Sequence, residues 1–174
     1  NLILSDGTHL NMILLNFTSV QQQAIIEGCS GGFTVKQLND IRETAQHNLA
    51  MRIAPADYAV AVLHFDGENA LLTFSFGASL IMSRRIEGRG EAGESLLDKV
   101  AMETQRSVDY FERQYSWLPL AKLYLAPVMQ SQALLRRLSE YLPIGAENLD
   151  LSRVFDFTGQ PQLQTVPVQN AAFH

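Results

Sequence analysis

The chain has 174 residues, of which 47% are hydrophobic and 18% charged, a composition typical of a folded globular protein. Its formal net charge is -5 and its longest basic runs are Arg84-Arg85 and Arg136-Arg137, so it lacks the basic stripe that binding to nucleic acid requires. A lone cysteine, Cys29, excludes an internal disulfide and fits a reducing compartment, and no apolar run approaches the roughly 18 residues of a membrane span.

The first third of the chain is predicted to alternate strands and helices. Residues 1–17 are predicted to form two short strands joined by a turn, followed by a helix from residue 18 or 19 to about Cys29. Residues 33–35 are predicted to form a strand, and Asp40 to open, as the first residue of a capping box, a helix that Pro55 ends. This order of elements is typical of an α/β layer.

A meander of three antiparallel strands is predicted next. Residues 58–65 are apolar at nearly every position, as in a strand with both faces buried, and a turn at Asp66-Gly67 follows them. Apolar and polar residues alternate over residues 70–76, and residues 78–86 form the third strand.

A long amphipathic helix is predicted from about Gly93 to Tyr115, since apolar residues recur there at spacings of four and three. The residues of this core-facing stripe are Leu97, Ala101, Thr104, Val108, Phe111 and Tyr115. A strand over residues 122–125 and a helix capped by Ser131 follow. From Leu151 onward the Gln- and Pro-rich sequence predicts a tail that wraps around the domain.

The segment Gly88-Arg89-Gly90-Glu91-Ala92-Gly93 has the G-x-G-x-x-G spacing of dinucleotide-binding loops. However, the strand before it is the third of a meander, whereas such a loop follows the first strand of a parallel sheet. Glu87, Glu91 and Glu94 would also repel a phosphate. A flexible connection from strand to helix is therefore the favoured interpretation, with a dinucleotide-binding module as the alternative.

The sequence contains no local motif of a metal site or of a catalytic nucleophile. The histidines His9, His47, His64 and His174 include no pair at ligand spacing, and one cysteine does not complete a zinc site. His64, on an apolar strand, is predicted to be a buried, hydrogen-bonded imidazole. No catalytic residue is predicted, although a pair of carboxylates far apart in the sequence stays open.

The order of three antiparallel strands, long helix, strand and helix is the core order of ribonuclease-H-like folds, which include the second half of actin-like ATPases. Residues 33–49 resemble the interdomain segment of PilM-type proteins, with the motifs D-I-x-E and A-x-x-N-L. Residues 80–86 and 103–114, LIMSRRI and ETQRSVDYFERQ, are similar to a signature of the MshI branch of that family. This branch belongs to mannose-sensitive haemagglutinin (MSHA) type IV pili.

The resemblance implies the C-terminal part of an α/β protein with the actin-like ATPase fold. Residues 1–54 would be a remnant of the first subdomain, and residues 55–174 the second, ribonuclease-H-like subdomain with its tail. The implied function is a non-catalytic cytoplasmic scaffold of an MSHA-type pilus assembly platform, peripheral to the bacterial inner membrane. Its implied partner is the cytoplasmic peptide of a bitopic inner-membrane protein, PilN-like and of MshJ type, and it would meet the membrane only through that partner. The alternative is an actin-like ATPase with nucleotide in its interdomain cleft.

The resemblance implies at most a degenerate nucleotide site. The phosphate loop of the family corresponds here to Asp66 and Gly67, where the aspartate directly precedes the glycine and no threonine or serine is present in the turn. The glycine pair that follows the fourth strand in the family is replaced by Ala126-Pro127, which adds bulk and removes a donor. No cofactor is therefore expected in this chain, and ATP is left open for the full-length protein.

The partner-binding groove of the family implies a second candidate site on the helix of residues 40–52. Leu49 and Met51 would be its apolar contacts, and Arg42 and Arg52 its polar anchors. A position in the hydrophobic core is the alternative for Leu49.

Overall fold

The computed structural model of the chain describes residues 35–126 and 131–153. The elements predicted over residues 1–29 and the tail beyond residue 153 lie outside the described residues. The described elements are, in chain order, α1 (Val35–Ile53), β1 (Ala59–Phe65), β2 (Asn69–Phe76), β3 (Ser79–Glu87), α2 (Gly93–Gln114), β4 (Leu120–Leu125), α3 (Ser131–Tyr141), β5 (Ala146–Asn148) and a 3-10 turn (Leu151–Arg153).

The five strands form one mixed sheet in the order β3-β2-β1-β4-β5. β1 and β2 are antiparallel, with Val62 opposite Thr73, and β3 continues the meander on the outer side of β2. β4 runs parallel to β1, with Tyr124 beside Val62, and β5 runs parallel to β4. The predicted meander and the predicted α/β, ribonuclease-H-like class are therefore confirmed, and β5 is a strand that the sequence analysis did not predict.

Helices cover both faces of the sheet. All seven positions of β1 are buried, because a strand between two helical layers has no solvent-facing side. Along β1, Ala61 and Leu63 face the core beneath α2 and α3, whereas Val60 and Val62 face the core beneath α1.

The core beneath α2 is centred on two stacked aromatic rings. Phe111 of α2 is fully buried, and its ring lies 4.7 Å from that of Phe74 on β2 with an angle of 11° between the planes. Leu97 and Val108 are buried on the same stripe, and Tyr115 packs at its edge. The predicted core-facing stripe of the long helix is confirmed.

α1 begins at Val35 instead of at Asp40, so the predicted strand is wrong at Val35. The predicted capping box is also wrong, since Asp40 lies inside α1 and its carbonyl oxygen accepts a hydrogen bond of 2.8 Å from the Thr44 hydroxyl. This bond is the one that a threonine forms in a helix interior. Residues 36–38 favour a helix, and no glycine or proline occurs between Val35 and Pro55 to interrupt one.

The connection between β3 and α2 approaches the β1–β2 turn closely. A Cβ atom added to Gly88 would lie 2.0 Å from the carbonyl oxygen of Glu68, and the Gly88 N–H lies 3.4 Å from Oδ1 of Asn69. Gly88 is therefore required by contact with the protein's own backbone. This contact favours a connection from strand to helix over a dinucleotide-binding loop.

Within residues 35–126 and 131–153, no helix combines the length and the apolar character needed to cross a bilayer. The subdomain boundary between residues 54 and 55 stays a prediction. The described part of the segment before it, α1, packs on the sheet that the following residues build.

Candidate functional site on the face of the sheet beneath α1

The face of α1 that contacts the sheet changes character along the helix. Residues 40–47, the polar half of this face, bury Arg42 and Gln46 together with the small Ala45, and residues 49–53, the apolar half, bury Leu49 and Ile53. These residues recur at spacings of three and four, which places them on one side of a helix. α1 therefore meets the sheet through a polar contact at one end and an apolar contact at the other.

The sheet is polar where it lies beneath the polar half of α1. Thr73 and Ser75 of β2 alternate with apolar residues that face α2, so their hydroxyls are turned toward α1, and both residues are buried. His64 of β1 is buried as well, as predicted. Asp66, a charged residue that directly follows β1, lies at the border of this surface.

Arg42 and Asp66 form an ion pair, although the sequence assigned them to two different sites. Nη2 of Arg42 lies 3.7 Å from Oδ2 of Asp66, and the two side chains are 9% and 2% exposed. Burial lowers the pKa of Arg42, an effect that Asp66 partly offsets and the charge of Arg85 reinforces. An arginine keeps its charge in proteins even so, and Asp66 therefore has a permanent cation beside it.

The other carboxylate oxygen of Asp66 closes the β1–β2 turn. Oδ1 accepts hydrogen bonds from the backbone N–H groups of Glu68, at 3.0 Å, and Asn69, at 2.7 Å. Gly67, which lies between Asp66 and Glu68, has a φ of +98°, a backbone conformation that residues with a side chain rarely adopt. The predicted cofactor residues Asp66 and Gly67 thus form an Asx turn, with the carboxylate bound by the protein itself.

Gln46 and His47 form hydrogen bonds to the sheet that the sequence analysis did not predict. Nε2 of Gln46 donates to the carbonyl oxygens of Val62, at 2.8 Å, and Leu71, at 3.1 Å, and so bridges β1 and β2. Nδ1 of His47 lies 2.9 Å from the Ser75 hydroxyl. The spacing of four residues between Arg42 and Gln46 was the available signal, since it places both on one helix face.

The four predicted partner-binding residues do not share one surface. Leu49 is in the core with Val60, which agrees with the alternative interpretation. Arg42 is buried between α1 and the sheet, where it pairs with Asp66. Met51, 47% exposed, and Arg52 are at the surface near the end of α1. Only these two of the four predicted residues present their side chains to solvent.

The edge strand β3 is joined to a helix on each face of the sheet. The Ser83 hydroxyl donates to Oε1 of Glu43 on α1, at 2.8 Å. Nη2 of Arg84 donates to Oε2 of Glu103 on α2, at 3.0 Å, and Glu103 also binds Arg106. The residues quoted for the family resemblance from three separate segments are therefore in direct contact around β3.

The described side chains do not assemble a metal centre. Among residues 35–126 and 131–153, no group of three or more histidine, cysteine, aspartate or glutamate residues is arranged to hold a metal ion. His9, Cys29 and His174 lie outside the described residues. The described residues thus combine buried polar groups beneath α1 with an exposed end of that helix.

Neither a model of a known protein family nor a curated protein sequence matches the chain. A solved structure of a PilM–PilN type IV pilus biogenesis complex is similar, with 18% identity and a TM-score of 0.48 over 72% of this chain and 46% of that chain. The Ppx/GppA phosphatase of Aquifex aeolicus, type II variant, is 15% identical, with a TM-score of 0.37 over 53% of this chain and 35% of that chain. An exopolyphosphatase from Cytophaga hutchinsonii is 14% identical, with a TM-score of 0.38 over 54% of this chain and 35% of that chain. This chain spans less than half of the length of each.

Proposed function

We propose that this chain is part of a non-catalytic scaffold of a type IV pilus assembly platform of the MSHA type. In this proposal the protein is cytoplasmic and lies at the inner membrane. It binds the cytoplasmic peptide of a bitopic membrane protein, PilN-like and of MshJ type. The observation that carries the proposal is the cluster of contacts around β3.

Those contacts join the segments on which the family resemblance rests. Glu43 belongs to the segment similar to the PilM interdomain helix, whereas Ser83, Arg84 and Glu103 belong to the two segments similar to the MshI signature. In the folded chain, Ser83 binds Glu43 and Arg84 binds Glu103. The resemblance therefore covers one contiguous structural unit, which supports membership of this group of proteins more than three unrelated short matches would.

The geometry of the β1–β2 turn supports a scaffold over an ATPase. A phosphate loop uses its backbone N–H groups, hydroxyls and carboxylate to hold phosphates and Mg²⁺. Here the Asp66 carboxylate is bound by two backbone N–H groups and lies beside Arg42, whose fixed positive charge disfavours a metal ion at this carboxylate. Through Asp66, the turn therefore holds α1 against the sheet.

A scaffold acts through its surface, and the exposed end of α1 is the proposed contact for the peptide. Met51 offers apolar area there and Arg52 offers a charge. Leu80 of β3 is also exposed and is the cross-strand neighbour of Ser75, which faces α1. Apolar side chains with a nearby polar anchor are the usual means of holding a short peptide.

The proposal is tested by fluorescence anisotropy, with the full-length protein and a labelled cytoplasmic peptide of its bitopic platform partner. We expect saturable binding that Arg52→Glu weakens about tenfold, which corresponds to about 1.4 kcal/mol. Arg136→Glu, the same charge reversal at an exposed position of α3, is the control and should leave the affinity unchanged. Absence of binding at high micromolar concentration, or equal effects of both substitutions, would contradict the proposal.

A further inference from the structure

We propose that the polar half of α1, residues 40–47, is a releasable latch. In this inference the latch separates from the sheet while the apolar half, residues 49–53, stays packed. Release exposes the Asp66 carboxylate and the buried hydroxyls of β2. The inference concerns the folded chain alone and does not depend on the pilus or on a partner.

The two halves of α1 differ in what separation would cost. Leu49 and Ile53 pack into an apolar core with Val60 and Tyr124, and water would not replace those contacts favourably. In the polar half, Arg42 and Gln46 face groups that water can solvate, and the small side chain of Ala45 is the one described contribution to the apolar core. Free energy of hydration therefore offsets the loss of contacts over residues 40–47 more than over residues 49–53, and the part of α1 before Leu49 should separate first.

The side-chain oxygen of Gln46 makes the closed latch less stable than a contact in which every buried polar atom has a hydrogen-bond partner. Its side chain is 0% exposed and its Nε2 donates two hydrogen bonds, but its Oε1 has no hydrogen-bond partner among the described residues. A buried acceptor without a partner costs free energy, which hydration restores when the helix moves away. A methionine or leucine at this position would fill the space without that cost.

The contact of His47 with Ser75 belongs to the same latch. Both partners can exchange this hydrogen bond for bonds to water, so that it fixes the geometry of the closed state without holding it strongly. The polar contacts of the latch thus involve Asp66 at one end of β2, Ser75 near the other and, through Glu43, Ser83 of β3. Because they share one helix segment, the contacts break together.

Cysteine labelling in the native state tests this inference. Cys29→Ser removes the only cysteine of the chain, and one probe is then introduced at a time. Thr73→Cys places the probe beneath the latch, and Thr104→Cys, the matched control, replaces an equally buried threonine of α2. We expect iodoacetamide to modify the Thr73→Cys protein at least 100-fold faster than the Thr104→Cys protein without denaturant. The faster rate should depend little on urea.

If the two probe thiols are modified at the same rate and with the same steep dependence on urea, both are exposed only by global unfolding and no separate latch exists. A second measurement adds Gln46→Met to the Thr73→Cys protein and should slow its modification about tenfold. Gln105→Met on α2 is the control and should leave the rate unchanged. Equal effects of the two methionine substitutions would also contradict the latch.

Hydrogen exchange of the unsubstituted protein covers the case in which a cysteine variant fails to fold. An isolated helix shorter than ~15 residues is marginal in water, and the part of α1 before Leu49 is that short, so its amides lose protection when the latch opens. We expect the amides of residues 44–47 to exchange at least tenfold faster than those of residues 50–53. Equal protection along both segments would overturn the inference.

Discussion

The guanidinium Nη2 of Arg42 lies 3.7 Å from the carboxylate Oδ2 of Asp66, beneath α1 and almost out of contact with solvent. The pair links α1 to the turn that follows β1. Because each charge is buried, removing one partner leaves the other poorly compensated. The first prediction follows from this relationship.

In a double-mutant cycle of Arg42→Met and Asp66→Asn, we expect a coupling free energy of about 1 kcal/mol or more. Methionine keeps most of the arginine stem, and asparagine keeps an oxygen that can accept the bonds of the turn. Urea denaturation of the four proteins measures the coupling. Additivity of the two substitutions within about 0.3 kcal/mol would show that the pair contributes nothing as a pair.

Binding of Mg-ATP to this chain is expected to be negligible. The Asp66 carboxylate closes its own turn, and the turn carries no hydroxyl for phosphate or metal. Isothermal titration should therefore give no saturable heat. A dissociation constant below about 100 µM, roughly -5.5 kcal/mol, would favour the actin-like ATPase instead.

Truncation of Phe111 to alanine is expected to lower the free energy of unfolding by about 3–5 kcal/mol. The side chain is fully buried and its ring stacks on Phe74, so the substitution leaves a cavity in the middle of the core. The neighbouring Tyr110, 47% exposed on the same helix, supplies the control. Tyr110→Ala should change stability by no more than about 0.5 kcal/mol, and similar losses for both variants would contradict the described core.

Substitution of Gly88 by alanine is expected to destabilise the protein by about 1–3 kcal/mol. The added methyl group would overlap the carbonyl oxygen of Glu68, at 2.0 Å, and backbone atoms cannot yield as a flexible side chain can. Gly145→Ala is the matched control, because its methyl group would meet only Cε of Lys122, at 3.8 Å. Thermal denaturation compares the two, and an unaffected Gly88→Ala protein would show that this close approach is not needed.

Much of the architecture was predictable from the sequence because the pattern along each element is itself the cause of burial. Alternation over residues 70–76 gives β2 an apolar face toward α2 and a polar face toward α1, and the stripe from Leu97 to Phe111 fixes the buried side of α2. The start of α1 was predicted wrongly. Asp40 with Glu43 has the form of a capping box, but the helix-favouring residues before it continue the helix through it.

The candidate site was less predictable, because its contacts join residues distant in sequence. By itself the sequence determined the antiparallel meander, the core stripe of α2 and the turn at Asp66-Gly67, since hydrophobic period and turn residues act locally. Only the tertiary structure decided that Arg42 meets Asp66 and that Gln46 bridges two strands. It also decided that Met51 faces solvent while Leu49 lies in the core. Burial and partner choice depend on how α1 is placed on the sheet, and no local pattern encodes that placement.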